Sequence, residues 1–264
     1  MINEKYEPLL NDVYKKYYTA ENSRCKHFSE CSKGQTFCDG LFCNRAKIGK
    51  NYGNGKYPKV LVVGKEPVTE NGKITQTTSL DEANNPHYRR TLYTLATVLH
   101  AEPKTDTLND LAEHQELLNH FCLTNYFKCS FTETEINNGV KKAKNNSNVS
   151  TNCAMRKECW NILMDEIAVL KPEIIVMQGK SYSGDFWSQI KQLYGESSLP
   201  EVNYRMDYEE LTKHDNGPNG SPLYIVWAYH PTARANYTWN NRLVNLKYVL
   251  NKLKEILDAE KRKD

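Results

Sequence analysis

Four short apolar runs, separated by polar loops and helix-like segments, constrain the fold of this chain more than any other feature. They lie at 58–64, 121–129, 173–179 and 222–231. Apolar runs of this length, such as VLVV, EIIV and YIVW, are typical of strands that are buried on both faces. Strands that alternate with helices favour a parallel sheet with helices on both sides. The sequence therefore predicts an α/β fold, a three-layer α/β/α sandwich with a central, mostly parallel four-stranded sheet.

The rest of the chain is predicted to belong to the same single domain, residues 1–264. A length of 264 residues is typical of one large domain. Residues 1–56 combine a helix-like start with a segment rich in cysteine, glycine and lysine. Residues 132–152 are polar and lack an apolar period, which predicts a mobile polar insertion. Residues 196–221 are predicted to be a second polar loop.

Composition and missing motifs narrow the classes of function. No apolar run reaches the ~18 residues that a membrane span needs, and the start MINEKYEPLL lacks the apolar segment of a signal peptide. We therefore expect a cytoplasmic protein with no membrane partner. The absence of GxGxxG and GxxxxGK[ST] argues against a dinucleotide enzyme or a P-loop nucleotidase. A net charge of +3 permits a nucleic-acid partner without requiring one.

Eight cysteines are the most unusual feature of the composition. Disulfides are rare in cytosolic proteins, so a dense group of cysteines in this chain favours a metal or an iron–sulfur cluster. One candidate site is a structural zinc knuckle formed within the N-terminal segment. Thiolates bind both zinc and iron, so the spacing alone does not choose the metal. The ligands of that zinc site would be Cys25, Cys31, Cys38 and Cys43.

Polar side chains follow three of the four predicted strands where each strand ends. Lys65 and Glu66 follow the first strand, Asn125 lies at the end of the second, and His230 and Arg234 follow the last. In an open parallel sheet these ends meet at one edge, which is where ligands bind. A carboxylate, an amide and an imidazole in one crevice suit a base-assisted displacement.

Four motifs in order along the chain resemble the uracil-DNA glycosylase superfamily, in particular its iron–sulfur branch, family 4. They are GKEP at 64–67, TN-x-x-KC at 124–129, CWNILMDEIAVLKPEIIVMQGKS at 159–181 and YHPTAR at 229–234. The interval between Cys159 and Pro172 also resembles the spacing in that family. The resemblance covers about residues 36–255, and it implies the fold, activity and partners of a DNA glycosylase.

The resemblance implies a role for each matching residue. Glu66 would activate water or stabilise the sugar cation, and His230 would stabilise the negative charge on the leaving base. Asn125 would read the edge of the base. His87 or Tyr88 would stack on the base after it has left the helix.

Basic residues and one apolar residue complete the predicted site. Lys65, Arg89, Arg90 and Arg234 are candidates to hold the phosphates around the extruded nucleotide, although each of them would also suit a solvated surface. The resemblance implies that uracil-specific members of the superfamily carry Tyr or Gly at the position that matches Val68. A different residue there favours a remodelled pocket around the pyrimidine ring.

The resemblance therefore implies a monofunctional DNA glycosylase, a monomer that hydrolyses the N-glycosidic bond of an extruded base. The base would be uracil or a modified pyrimidine, such as a hypermodified cytosine of phage DNA, and an abasic site would remain. An inactive nucleic-acid-binding module of the same fold and a nucleotide- or sugar-handling enzyme are the alternatives. The family also implies a structural [4Fe–4S] cluster, with Cys38, Cys43, Cys129 and Cys159 as its ligands.

Overall fold

The structure is a computed structural model that describes most of the sheet and the helices around it. The described residues are 3–19, 25–31, 45–64, 69–70, 73–74, 86–99, 111, 114–128, 132–137, 140–145, 153–179, 183–196, 204–206, 208–229, 239–260 and 262. The α-helices among them are α1 (Glu7–Tyr17), α2 (Phe28–Cys31), α3 (Pro86–Val98), α4 (Cys153–Leu170), α5 (Ser183–Tyr194) and α6 (Trp239–Glu260). None of these helices combines the length and the apolar character that crossing a membrane requires.

Most of the strands form one open sheet. The strands are β1 (Lys47–Ile48), β2 (Val60–Gly64), β3 (Thr69–Glu70), β4 (Lys73–Ile74), β5 (Phe121–Asn125), β6 (Thr132–Asn137), β7 (Val140–Asn145), β8 (Ile174–Gln178), β9 (Tyr204–Met206), β10 (Glu209–His214) and β11 (Leu223–Ala228). Seven of them form a sheet in the order β1-β5-β2-β8-β11-β10-β9. The four central strands β5, β2, β8 and β11 are parallel, and they coincide with the four apolar runs.

The α/β prediction is confirmed, but the predicted count of four strands is too low. Strand β1 adds to one edge of the sheet, and β10 and β9 add to the other, all three antiparallel to their neighbours. Strands β9 and β10 lie in the region 196–221, which the sequence predicted as a polar loop. The sequence of β10 lacks the usual alternation of apolar and polar residues, because some of its buried positions hold polar side chains. Thr212 is one of these, and its hydroxyl accepts a hydrogen bond of 3.0 Å from the Trp227 indole.

The polar insertion also contains regular structure. Strands β6 and β7 form a separate antiparallel hairpin within 132–145. Its register places Glu133 opposite Lys144 and Glu135 opposite Lys142. Opposite charges across a strand pair are stabilising, and the connecting sequence Asn-Gly favours a tight hairpin turn. The polar insertion that the sequence predicted therefore contains a hairpin, in which residues of opposite charge are in register and no apolar period is present.

Apolar side chains cover both faces of the central strands. Strands β2, β8 and β11 are buried along their whole length. On one face, Leu61 and Val63 share a core with residues of α1, α4 and α5. On the other, Val60 and Val62 share a core with residues of α3 and α6. We call the second one the α3/α6 face.

The order of the parallel strands creates a switch point in the middle of the sheet. From β2 the chain passes through α3 to β5 on one side, and then crosses to β8 and β11 on the other side of β2. Connections that run in opposite directions along a sheet carry their helices on opposite faces, because crossovers are right-handed. Helices therefore diverge between the carboxyl ends of β2 and β8, which is where open α/β sheets bind ligands.

Candidate functional site

Four neighbouring residues end the parallel strands at the switch point, and we call them the carboxyl-edge row: Asn125, Gly64, Gln178 and Ala228. Gly64 pairs with Asn125, and Ala228 pairs with Gln178. The residue before Gly64 pairs with the residue before Gln178, so these two are neighbours as well. Because side chains alternate along a strand, all four positions belong to the α3/α6 face. The row therefore presents two carboxamides, Asn125 and Gln178, one on each side of Gly64.

The Asn125 side chain lies across the backbone of Gly64. A Cβ atom at Gly64 would overlap with Oδ1 of Asn125, so a larger residue at this position would force the Asn125 amide to move. Asn125 itself is half-buried. The sequence predicted Asn125 at this edge because it ends an apolar run, and it lies there. Gly64, the glycine of the GKEP motif, leaves the space that the Asn125 amide occupies.

Gln178 is the site residue that the sequence did not reveal. Its side chain is 3% exposed. Its Nε2 donates a hydrogen bond of 2.7 Å to Oγ1 of Thr91 on α3, whereas its Oε1 has no hydrogen-bond partner in the part of the chain that is described. A buried acceptor without a partner costs about 1–3 kcal/mol, which makes it typical of a site that a ligand completes. The only signal in the sequence was a polar residue at the end of the run EIIVMQG.

Helix α3 contacts the carboxyl-edge row through Thr91 on its second turn. It starts at Pro86, so the backbone of His87 and Tyr88 lies in its first turn, while their side chains lie outside the description. Arg89 and Arg90 are half-buried on the same helix, and Nε of Arg89 is buried without a hydrogen-bond partner among the described residues. The start of a helix carries a partial positive charge and free N–H groups, so this end of α3 suits an anion.

A buried arginine supports the segment that leads to His230. The guanidinium carbon of Arg242 lies 4.0 Å from the centroid of the Tyr229 ring, and Arg242 is 4% exposed. Tyr208 contacts the same ring edge-to-face, with the centroids 4.9 Å apart. These contacts fix Tyr229, the residue immediately before His230. Sequence reasoning missed Arg242 because it belongs to the long amphipathic pattern of α6.

Several residues of the predicted site lie outside the described part of the chain. The strands that precede them nevertheless define where the segments containing Glu66 and His230 start. Glu66 is two residues after Gly64, the end of β2, and His230 is two residues after Ala228, the end of β11. Strands β2 and β11 have only β8 between them, so they are separated by about 10 Å, or two strand spacings. The undescribed site residues are Lys65, Glu66, Val68, His230 and Arg234.

Three of the eight cysteines, Cys25, Cys31 and Cys159, are buried near one another. Burial raises the pKa of the Cys31 thiol to about 11, with a smaller contribution from Cys25. Burial also raises the pKa of Cys159, and both Cys25 and Cys31 add to that effect. Within the described ranges, no three His, Cys, Asp or Glu side chains come together in a group that could hold a metal ion.

The chemistry around Cys159 fits a metal ligand. The backbone N–H of Lys128 donates to Sγ of Cys159 over 3.5 Å. Such N–H donors stabilise the thiolates of iron–sulfur clusters. This contact also brings the chain close to Cys159 just before Cys129. Because Cys38, Cys43 and Cys129 lie outside the description, both ligand sets stay predictions.

A buried ionic network holds the segment after β5. Nζ of Lys128 lies 2.6 Å from Oε2 of Glu166, and neither side chain is exposed to more than 1%. Thr124 contributes its hydroxyl to both charged groups, and the Tyr14 hydroxyl donates to the second carboxylate oxygen over 2.7 Å. The network connects α1, α4 and β5 below the site, on the face opposite α3.

Comparisons with known proteins add no relative. No protein-family model matches the chain, and no curated protein matches it. The resemblance to the glycosylases therefore depends on the four motifs and on where the fold places their ends.

Proposed function

We propose that this protein is a DNA glycosylase that hydrolyses the N-glycosidic bond of an extruded base. The observation that carries the proposal is the order of the four parallel strands. In this order, the segments that lead to Glu66 and His230 start on either side of β8. Their starts are about 10 Å apart, which is a suitable width for a nucleoside. The helices over both faces support a three-layer sandwich of the kind these enzymes use.

The proposed reaction separates opposite charges. As the bond between sugar and base breaks, its electron pair passes to the base, and positive charge develops on the sugar. Glu66 stabilises that cation and accepts a proton from the attacking water, while His230 stabilises the anion on the base. The products are a free base and an abasic site. No lysine is required for this route.

Base extrusion assigns roles to the remaining residues. Leaving the helix costs a few kcal/mol, which stacking on His87 or Tyr88 in the first turn of α3 would offset. Asn125 reads one edge of the base, and Val68 shapes the pocket for uracil or a modified pyrimidine. The proposed phosphate contacts are Lys65, Arg89, Arg90 and Arg234, together with the start of α3.

The proposed metal centre is structural. A [4Fe–4S] cluster on Cys38, Cys43, Cys129 and Cys159 would join the N-terminal segment to the sheet, and the hydrogen bond between Lys128 and Cys159 supports it. Zinc on Cys25, Cys31, Cys38 and Cys43 is the rival proposal. When bound, either metal would supply a cross-link and no step of the hydrolysis.

The test is base release by variants of the two catalytic residues. Glu66→Gln and His230→Ala should each lower the rate of base release by about 100-fold or more, because each removes one stabilising charge from the transition state. The matched control is Glu255→Gln, an exposed glutamate on α6, which should keep the wild-type rate. Unchanged thermal melting verifies that each variant is folded.

Two results would reject parts of the proposal. Wild-type rates in both Glu66→Gln and His230→Ala would remove these residues from the mechanism. Salt-dependent DNA binding by the wild-type protein with no base released from any substrate would instead favour the inactive binding module.

A further inference from the structure

We infer that Gln178 accepts a hydrogen bond from an N–H group of the base that enters the site. This inference deepens the proposed function and rests on it. The observation behind it is the free Oε1 of Gln178, in a side chain that is 97% buried at the switch point of the sheet. A ligand that supplies an N–H donor would satisfy this oxygen, whereas a carbonyl would be repelled.

The hydrogen bond to Thr91 engages the amide nitrogen of Gln178. Nε2 of Gln178 donates to Oγ1 of Thr91 over 2.7 Å, and Thr91 is itself buried on the second turn of α3. The amide nitrogen is therefore engaged with the protein, and the oxygen remains for the ligand. A side chain held in this way recognises a donor at little cost in entropy, since it is already ordered.

The two neighbours of Gln178 in the carboxyl-edge row have little side chain of their own. Gly64 and Ala228 flank it in the carboxyl-edge row and have the smallest side chains. Gly179 follows with a φ of +122°, a backbone conformation that favours glycine. Its N–H donates to the Ala228 carbonyl over 2.8 Å, which continues the pairing of β8 with β11 beyond Gln178. Gln178 therefore ends the strand that lies between the starts of the Glu66 and His230 segments.

The chemistry of the acceptor defines the class of base. Cytosine and its derivatives present an exocyclic amino group, and uracil presents the imide N–H at ring position 3. A base in which that donor has been replaced by a methyl group would leave Oε1 buried and unsatisfied. Sites built for a polar partner reject analogues that lack it far more strongly than apolar pockets reject a change of size.

The experiment compares bases that differ only in this donor. Binding of free cytosine and N4,N4-dimethylcytosine, and of uracil and 3-methyluracil, would be measured by NMR titration of the full chain. The wild-type protein should bind the donor-bearing member of one pair about 10- to 100-fold more tightly. Gln178→Met should abolish that preference, because methionine keeps the volume but has no amide oxygen. A purely steric effect of the methyl groups would persist in Gln178→Met.

Two further variants complete the design. Gln192→Met, at an exposed position of α5, is the matched control and should keep the wild-type preference. Thr91→Val removes the acceptor that orients the Gln178 amide, so it should weaken the preference without abolishing binding. Thermal melting of each variant checks that the fold is intact.

Each outcome decides the matter. Equal binding of both members of each pair by the wild-type protein, or an unchanged preference in Gln178→Met, would overturn the role of Gln178. Selective binding without base release from DNA would support Gln178 and reject the glycosylase. Should free bases bind too weakly to titrate, base release from DNA decides: a 10- to 100-fold lower kcat/KM in Gln178→Met supports the role, and an unchanged kcat/KM rejects it. If no base binds and none is released, both proposals fail.

Discussion

At the scale of single residues, Gly64 has a close contact with the Asn125 side chain that a substitution can test. Its missing side chain leaves the space that Oδ1 of Asn125 occupies. We predict that Gly64→Ala lowers the free energy of unfolding by about 1–3 kcal/mol, because the added methyl forces the amide to move. Urea unfolding would measure it. In an Asn125→Ala background the same change should cost much less, and equal costs in both backgrounds would contradict the contact.

The buried pair of Lys128 and Glu166 gives a second prediction at this scale. Lys128→Met should lower the free energy of unfolding by about 3–5 kcal/mol, because it leaves the Glu166 carboxylate buried without its counter-charge. Adding Glu166→Gln should recover part of that loss, as measured by urea unfolding. Lys15→Met breaks an exposed ion pair with Asp12 and serves as the control, with an expected change below about 0.5 kcal/mol. Equal effects of the buried and the exposed change would contradict the network.

The residues of the site differ in how visible they are in the sequence. Asn125 could be predicted because a polar residue at the end of an apolar run marks the edge of a sheet. Gln178 has the same position, but no motif drew attention to it, and its free oxygen is visible only once Thr91 is seen to hold the nitrogen. Arg242 could not be found, because in the sequence it belongs to the amphipathic pattern of α6 and nothing marks its contact with Tyr229.

At the scale of elements, the central strands were predictable and the edge strands were not. Burial on both faces gives β2, β8 and β11 continuous apolar sequences. Strand β10 instead has buried polar side chains, such as Thr212, which accepts a hydrogen bond from Trp227. Hairpin β6–β7 has a polar sequence in which glutamates of β6 are in register with lysines of β7. Periodicity of apolar residues detects neither arrangement.

The hairpin β6–β7 is predicted to be dispensable for the fold. It forms its own two-stranded sheet, and its ends, Thr132 and Asn145, are paired, so a short Gly-Ser link can join the flanking chain. We expect this replacement to shift the Tm by less than about 4 °C. By comparison, Leu211→Ala in β10 removes a buried side chain and should cost about 2–5 kcal/mol, a much larger shift. A collapse of the Tm after removal of the hairpin would show that it stabilises the main sheet.

The cysteine sets make opposite predictions for Cys159 and Cys25. If the iron–sulfur set is right, Cys159→Ser abolishes iron binding and the absorbance near ~400 nm, and Cys25→Ser leaves both unchanged. The zinc set predicts that Cys25→Ser abolishes zinc and Cys159→Ser does not. Cys122, a buried cysteine of β5 outside both sets, is the control. Metal analysis of the purified variants decides between the sets, and two colourless, metal-free preparations would reject both.

The same thiols predict how metal binding depends on pH. Burial raises the pKa of Cys31 to about 11 and raises that of Cys159 as well, so both are protonated at neutral pH without a metal. Binding must displace these protons, and the apparent affinity should therefore rise as the pH increases. Metal titrations of apo-protein at pH 6.5 and 8.5 would measure this, and equal affinities would exclude buried thiols as ligands.

At the scale of the whole molecule, the proposal is that the sheet brings a carboxylate and an imidazole to one extruded nucleoside. The strand order supports it, because β8 alone separates the strands that lead to Glu66 and His230. Gln178 ends that intervening strand, so recognition of the base and cleavage of its bond would take place at the same edge of the sheet.

The most direct test is the identity of what the wild-type protein releases from DNA. Uracil-containing DNA and phage DNA with modified cytosines, each single- and double-stranded, would be incubated with the protein, and the small products identified by mass spectrometry. We predict a free pyrimidine base and one alkali-labile abasic site for each base released. Intact DNA and no free base from every substrate, with protein in excess, would contradict the assignment.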